Sequence, residues 1–75
     1  MENNAANLPI TVDPETMGGT PVFRGTRVPV STLFQYLEGN YSLEDFLYEF
    51  PSVSKEAALA VLVNAERFTL EHANA

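Results

Sequence analysis

Tyr41-Ser42-Leu43-Glu44-Asp45-Phe46-Leu47-Tyr48-Glu49-Phe50-Pro51-Ser52-Val53-Ser54-Lys55 is the stretch that decides the fold of this chain. Ser42 followed three residues later by Asp45 is close to a capping box, in which each side chain satisfies a backbone N–H that the first helical turn leaves open. Tyr41 and Phe46 are placed for a hydrophobic staple. Glu44 and Asp45 suit the positive end of a helix dipole. Leu43, Phe46, Leu47 and Phe50 recur at helical spacing and make one apolar face. Pro51 ends the helix, because it has no N–H to donate. Ser54 caps the next one. The spacing predicts helices over about 43–50 and from Lys55 to about residue 71, joined by a short turn.

Upstream of this stretch, Leu33, Phe34 and Leu37 form another helix face. Ser31 or Thr32 can cap it, and Gly39 stands at its C-terminal cap, so a helix is expected over about 32–38. Further back the pattern changes. Pro14, Pro21 and Pro29 with Gly18, Gly19 and Gly25 punctuate the runs Ile10-Thr11-Val12, Pro21-Val22-Phe23 and Val28-Pro29-Val30. Such runs read as short strands joined by turns. Strands this short need other elements, or another chain, to hold them. The expected division is a flexible tail over 1–9, a β arm over 10–30 and a helical bundle over 31–75. Together they make one mainly α domain of three helices, of helix-turn-helix type, with a short N-terminal β arm.

Downstream, Ala57 to Val63 is apolar around the whole helix circumference, which normally means burial on more than one side. The chain has 75 residues and no cysteine. A chain this short buries only about 60% of its unfolded surface, and disulfides are excluded. One side of the last helix is therefore expected to pack on the other helices. A homodimer is expected, in which either the other side of this helix, through Val61, Leu62 and Val63, or the β arm meets a second copy.

Ten acids against four bases give a net charge of −6. General nucleic-acid affinity comes from Lys and Arg neutralising phosphates, so non-specific DNA or RNA binding is not expected. The longest apolar run is far below a membrane span, and the first residues lack the basic start and apolar stretch of a signal peptide. The cytoplasm is the expected compartment, with no membrane partner. His72 stands alone near the C-terminus, with no second histidine or cysteine to share a metal. Glu44, Asp45 and Glu49 read as a solvated acidic face, the functional alternative being a contact surface for a basic partner. Gly18-Gly19 lacks the ending of a phosphate loop. No catalytic activity, cofactor or metal is expected.

Two helices joined by a turn after a third suit a helix-turn-helix domain with the last helix as the reader. Its start offers Lys55 alone, with Asn64 late, where base readout wants Arg, Lys, Asn or Gln. The other concentration of positive charge is Arg24 and Arg27 around a Gly-Thr turn. Residues 1–30 hold three acids and two bases, and residues 31–75 hold seven acids and two bases. Arg24 and Arg27 either pair with acids such as Glu38, Glu44 or Asp45, or reach an anion outside the domain.

Gly19-Thr20-Pro21-Val22-Phe23-Arg24-Gly25-Thr26-Arg27-Val28-Pro29-Val30, then Tyr41-Ser42-Leu43-Glu44-Asp45-Phe46, then Phe50-Pro51, Val53-Ser54 and Ala57-Ala58-Leu59, resembles domain-of-unknown-function family 433 over about residues 10–65. Thr20 stands where that family commonly has Lys, Phe50 where it has Tyr and Val53 where it has Leu. The resemblance implies a homeodomain-like helical bundle with a β arm, commonly dimeric. It also implies an antitoxin-like role in a type II toxin–antitoxin pair, with a PIN-like ribonuclease toxin as partner. The second expectation is a dimeric helix-turn-helix DNA-binding regulator acting through Arg24, Arg27 and Lys55. A nuclease that holds its ion with carboxylates presents an acidic cleft, to which an arginine can make charge-assisted bonds. Arg24 is expected to make that contact, and Arg27 to brace the arm from inside.

Overall fold

The structure, a computed structural model, describes residues 8–15 and 17–73. Of the tail read over 1–9, only Leu8 and Pro9 fall among them. Strand β1 (Ile10–Thr11) and strand β2 (Val22–Phe23) pair antiparallel, Ile10 opposite Phe23 and Thr11 opposite Val22. A 3-10 turn, Met17–Gly19, lies between them. Helices α1 (Val30–Glu38), α2 (Leu43–Glu49) and α3 (Lys55–His72) follow. The domain is thus mainly helical, three helices with a two-stranded β arm.

The run at 28–30 does not make a strand of its own. Pro29 bridges Val22 on the side away from β1, and Val30 already begins α1. The segment still folds back on β2. The Phe23 N–H donates to Val28 O and the Val30 N–H to Pro21 O, both at 3.0 Å. A tight turn makes this return. The Thr26 N–H donates to Phe23 O at 3.0 Å, and Gly25 takes φ 79 at its third position, a conformation that costs glycine little and other residues much. The Thr26 hydroxyl secures the turn, donating to Phe23 O at 2.8 Å and accepting from the Val28 N–H at 3.0 Å. The Gly25-Thr26 pair is therefore the hinge pin of the arm.

Helix α1 starts at Pro29 without a side-chain cap, earlier in the chain than the Ser31 or Thr32 cap expected. A proline with φ −63 is already set for helix entry, and the Val30 N–H is satisfied by the arm instead. At the other end Gly39 is the C-cap, but the left-handed residue is Asn40, φ 75. The Tyr41 N–H donates to Tyr36 O at 2.9 Å and the Asn40 N–H to Leu37 O at 3.2 Å. That pair of bonds is a Schellman cap. A Cβ on Gly39 would lie 3.3 Å from Gln35 O, which favours glycine there.

The capping box of α2 forms in full. Asp45 N–H donates to Ser42 Oγ at 3.0 Å, and Ser42 N–H to Asp45 Oδ2 at 2.9 Å. The staple does not take the expected form: the Tyr41 ring lies 5.2 Å from that of Tyr36, because the Schellman turn brings residue 41 back over 36. The Val53 N–H donates to Phe50 O in the turn after Pro51, and Ser54 Oγ caps α3 by accepting from the Ala57 N–H at 3.0 Å.

Phe23, Leu33 and Phe46 are the largest fully buried side chains, and with Val53, Ala58 and Val61 they form the core. Strand β2 and each of the three helices supply at least one of them. Burying a side chain of this size contributes about 1.5–3 kcal/mol. Phe23 carries the arm into the core, its ring 6.0 Å from that of Phe46.

Candidate functional site

Helix α3 shows two apolar faces. Ala58 and Val61 are buried in the chain's own core, with Ala57, Leu62 and Ala65 half-buried beside them. Leu59, Val63 and Leu70 lie on the opposite side, spaced four and seven residues apart, which keeps them on one stripe. They are 40%, 50% and 61% exposed. The all-round apolar run of 57–63 is thereby accounted for: Val61 is turned inward, Val63 outward, and Leu62 sits at the edge of the core.

The stripe borders a depression of about 500 Å³, closed at one side by Leu8 of the arm and lined on α3 by Leu59, Val63 and Arg67. Glu56, Glu66, Arg67 and Glu71 are exposed around it. The last two turns of α3 run past the core. Every residue from Glu66 to Ala73 is exposed. Phe68 continues the row of Ala57, Val61 and Ala65, yet it has no core left to enter and is 60% exposed. The His72 ring lies 4.0 Å from it, with Nδ1 2.8 Å from Phe68 O.

Of the two arginines of the arm, Arg24 makes the internal bonds that were expected of Arg27. Arg24 is the brace: its guanidinium donates to Leu8 O at 2.7 Å and Ile10 O at 3.4 Å, and its N–H donates to Pro9 O at 2.8 Å. The cause is strand pairing, which sets residue 24 beside the chain entering β1. Arg27 is exposed and makes no hydrogen bond or ion pair among the described residues. Lys55, the first residue of α3, is likewise exposed and unpaired among them. Neither arginine pairs with Glu38, Glu44 or Asp45. Arg27 and Lys55 are not among the residues that line the depression beside the α3 stripe.

Leu59 and Leu70 join Val63 in this stripe through the spacing 59, 63 and 70, a signal visible once the core face of α3 is assigned to 58 and 61; Phe68 lies off that spacing. Among the described residues no helix is long and apolar enough to cross a membrane, and no three His, Asp or Glu side chains converge as metal ligands.

A mainly helical domain with this arm and this Gly-Thr turn belongs to the family described as "Protein of unknown function (DUF433)", whose model matches residues 10–65. Over 62 residues the chain is 39% identical to the "Uncharacterized protein y4eO" of Sinorhizobium fredii, covering 83% of this chain and 28% of that protein. It is also similar to the crystal structure of a DUF433 member from Anabaena variabilis, with a TM-score of 0.67 at 26% identity, covering 93% of this chain and 65% of that one. The chain therefore spans less than two thirds of the length of each.

Proposed function

We propose that this chain is a non-catalytic binding module of the antitoxin type, which pairs with a second copy through the outer face of α3 and neutralises a ribonuclease toxin. The observation that carries the reading is the stripe Leu59, Val63 and Leu70. Three aliphatic side chains, exposed in line on a helix whose other face fills the core, are costly to leave in water. An exposed apolar patch rimmed by charge is what a protein interface looks like before its partner arrives. Arg27, without a partner among the described residues, is the arginine available to an acidic nuclease cleft, while Arg24 is committed to the arm.

The second reading, a dimeric DNA-binding regulator, is supported by Lys55, exposed at the first position of α3 and without a partner among the described residues. Against it, Glu56 is the next residue and Glu44, Asp45 and Glu49 crowd the preceding helix, and all of these repel phosphate.

The test is co-expression with the product of a neighbouring reading frame, assayed for ribonuclease activity. Co-purification and suppressed RNA cleavage are the expected result. A nuclease that stays fully active beside an excess of this chain overturns the antitoxin reading. Retention of an operator DNA fragment at physiological salt by the chain alone supports the second reading.

A further inference from the structure

The junction of α1 and α2 carries a second surface, separate from the α3 stripe. Residues 28–54 contain four acids, Glu38, Glu44, Asp45 and Glu49, and no Lys, Arg or His. In their midst lies a pocket of about 250 Å³ lined by Tyr36, Tyr41, Tyr48, Asp45 and Glu49.

Tyr36 is the fixed wall. Its ring meets those of Phe46 and Phe50 edge-on, each with centroids 5.7 Å apart. Tyr41 is pinned 5.2 Å away by the Schellman turn. Tyr48 projects from α2 and is 83% exposed. It adds nothing to the core, and a tyrosine so placed is a large apolar surface with no packing role. Asp45 engages Oδ2 with the Ser42 amide, and no hydrogen bond to Oδ1 or to the Glu49 carboxylate forms among the described residues. Nor is any of the three tyrosine hydroxyls hydrogen-bonded within them.

Aromatic faces beside two carboxylates are complementary to one kind of group. A guanidinium is flat and weakly hydrated, stacks on aromatic rings and donates to carboxylates in a fork. None of the chain's three arginines lines this pocket: Arg24 is held by the arm, Arg67 lines the α3 depression, and Arg27 stands on the turn of the arm. We propose that the Tyr36–Tyr41–Tyr48 pocket receives an arginine side chain from a basic partner protein, stacked on the tyrosine rings and hydrogen-bonded to Asp45 and Glu49. The net charge of −6 draws such a partner in. The site does not depend on the antitoxin reading; it requires only that the partner be a protein with an accessible arginine.

The probe is the peptide acetyl-Gly-Arg-Gly-amide, titrated into the full chain while the tyrosine ring resonances are followed by NMR. Its citrulline counterpart has the same shape without the charge. Saturable shifts at Tyr36, Tyr41 and Tyr48 with the arginine peptide, and none with the citrulline peptide, are expected. Tyr48→Ala and Glu49→Gln, both at solvent-facing positions, should each weaken binding about two- to fivefold. Shifts of equal size with citrulline, no saturable shift at the three tyrosines, or parental affinity in both pocket variants would overturn the proposal.

Discussion

The Arg24 guanidinium reaches sixteen residues back along the chain to donate to the carbonyl oxygen of Leu8 at 2.7 Å. One side chain thereby holds the segment that enters β1 against the segment that leaves β2. The two strands have only two residues each, so this clasp is a large share of what fixes the arm.

Arg24→Ala should accordingly lower unfolding stability by about 1 kcal/mol, read from the midpoint of urea denaturation. Arg27→Ala should change it by less than about 0.5 kcal/mol, as is usual for an exposed side chain without partners. Equal losses in the two variants would contradict the assignment of brace and free arginine.

Asn40 holds the left-handed position of the α1 cap, φ 75. Alanine there meets the steric penalty of that region, about 1–2 kcal/mol, whereas glycine adopts it freely. Asn40→Ala should lower the thermal midpoint and Asn40→Gly should hold or raise it. If both variants melt alike, the cap contributes nothing to stability.

Ser42 and Asp45 satisfy each other's backbone N–H groups. Loss of either cap side chain should cost about 1 kcal/mol. The double variant Ser42→Ala with Asp45→Ala should cost less than the two single losses added, since each removes part of the same reciprocal pair. A double-mutant cycle in urea measures that coupling directly, and strict additivity would mean that the two bonds act separately.

Neighbours on α3 should differ sharply. Val61 is 7% exposed and Val63 50%. Val61→Ala should destabilise the chain by about 2 kcal/mol, as truncation in a packed core does. Leu59→Glu with Val63→Glu should leave the helical circular dichroism intact and shift sedimentation at micromolar concentration from dimer to monomer. A parent chain that sediments as a monomer there would rule out the paired α3 arrangement.

Much of this fold is legible in local chemistry. The Ser42–Asp45 box, the Ser54 cap and the stop at Pro51 are signals read over three or four residues, and each forms where its spacing places it. What escaped the sequence depends on direction. Which arginine of Arg24-Gly25-Thr26-Arg27 turns inward is set by β pairing to residues 8–10, a relation between distant segments. The outward stripe of α3 was hidden because Ala57 to Val63 is apolar on every side. Only packing against Phe46 and Leu33 decides that Val61 goes in and Leu59 stays out. Tyr48 was passed over because an exposed tyrosine on an acidic helix has no periodic signature, and the pocket it borders exists only once the α1 cap folds Tyr41 over Tyr36.

The free end of α3 has a thermodynamic consequence. From Glu66 onward every residue is exposed and the helix is held mainly by its own backbone bonds, so amide exchange should quicken steadily between Val61 and Ala73. Such a segment spends part of its time unwound, and a protein gripping Phe68 and Leu70 must first hold it straight. The conformational entropy of those two turns is then subtracted from the affinity. Thr69, exposed and β-branched, is a poor helix former. Replacing it with alanine touches no contact, yet it should tighten that grip by preorganising the helix. Affinity at this surface is thus adjustable from a residue outside the apolar stripe.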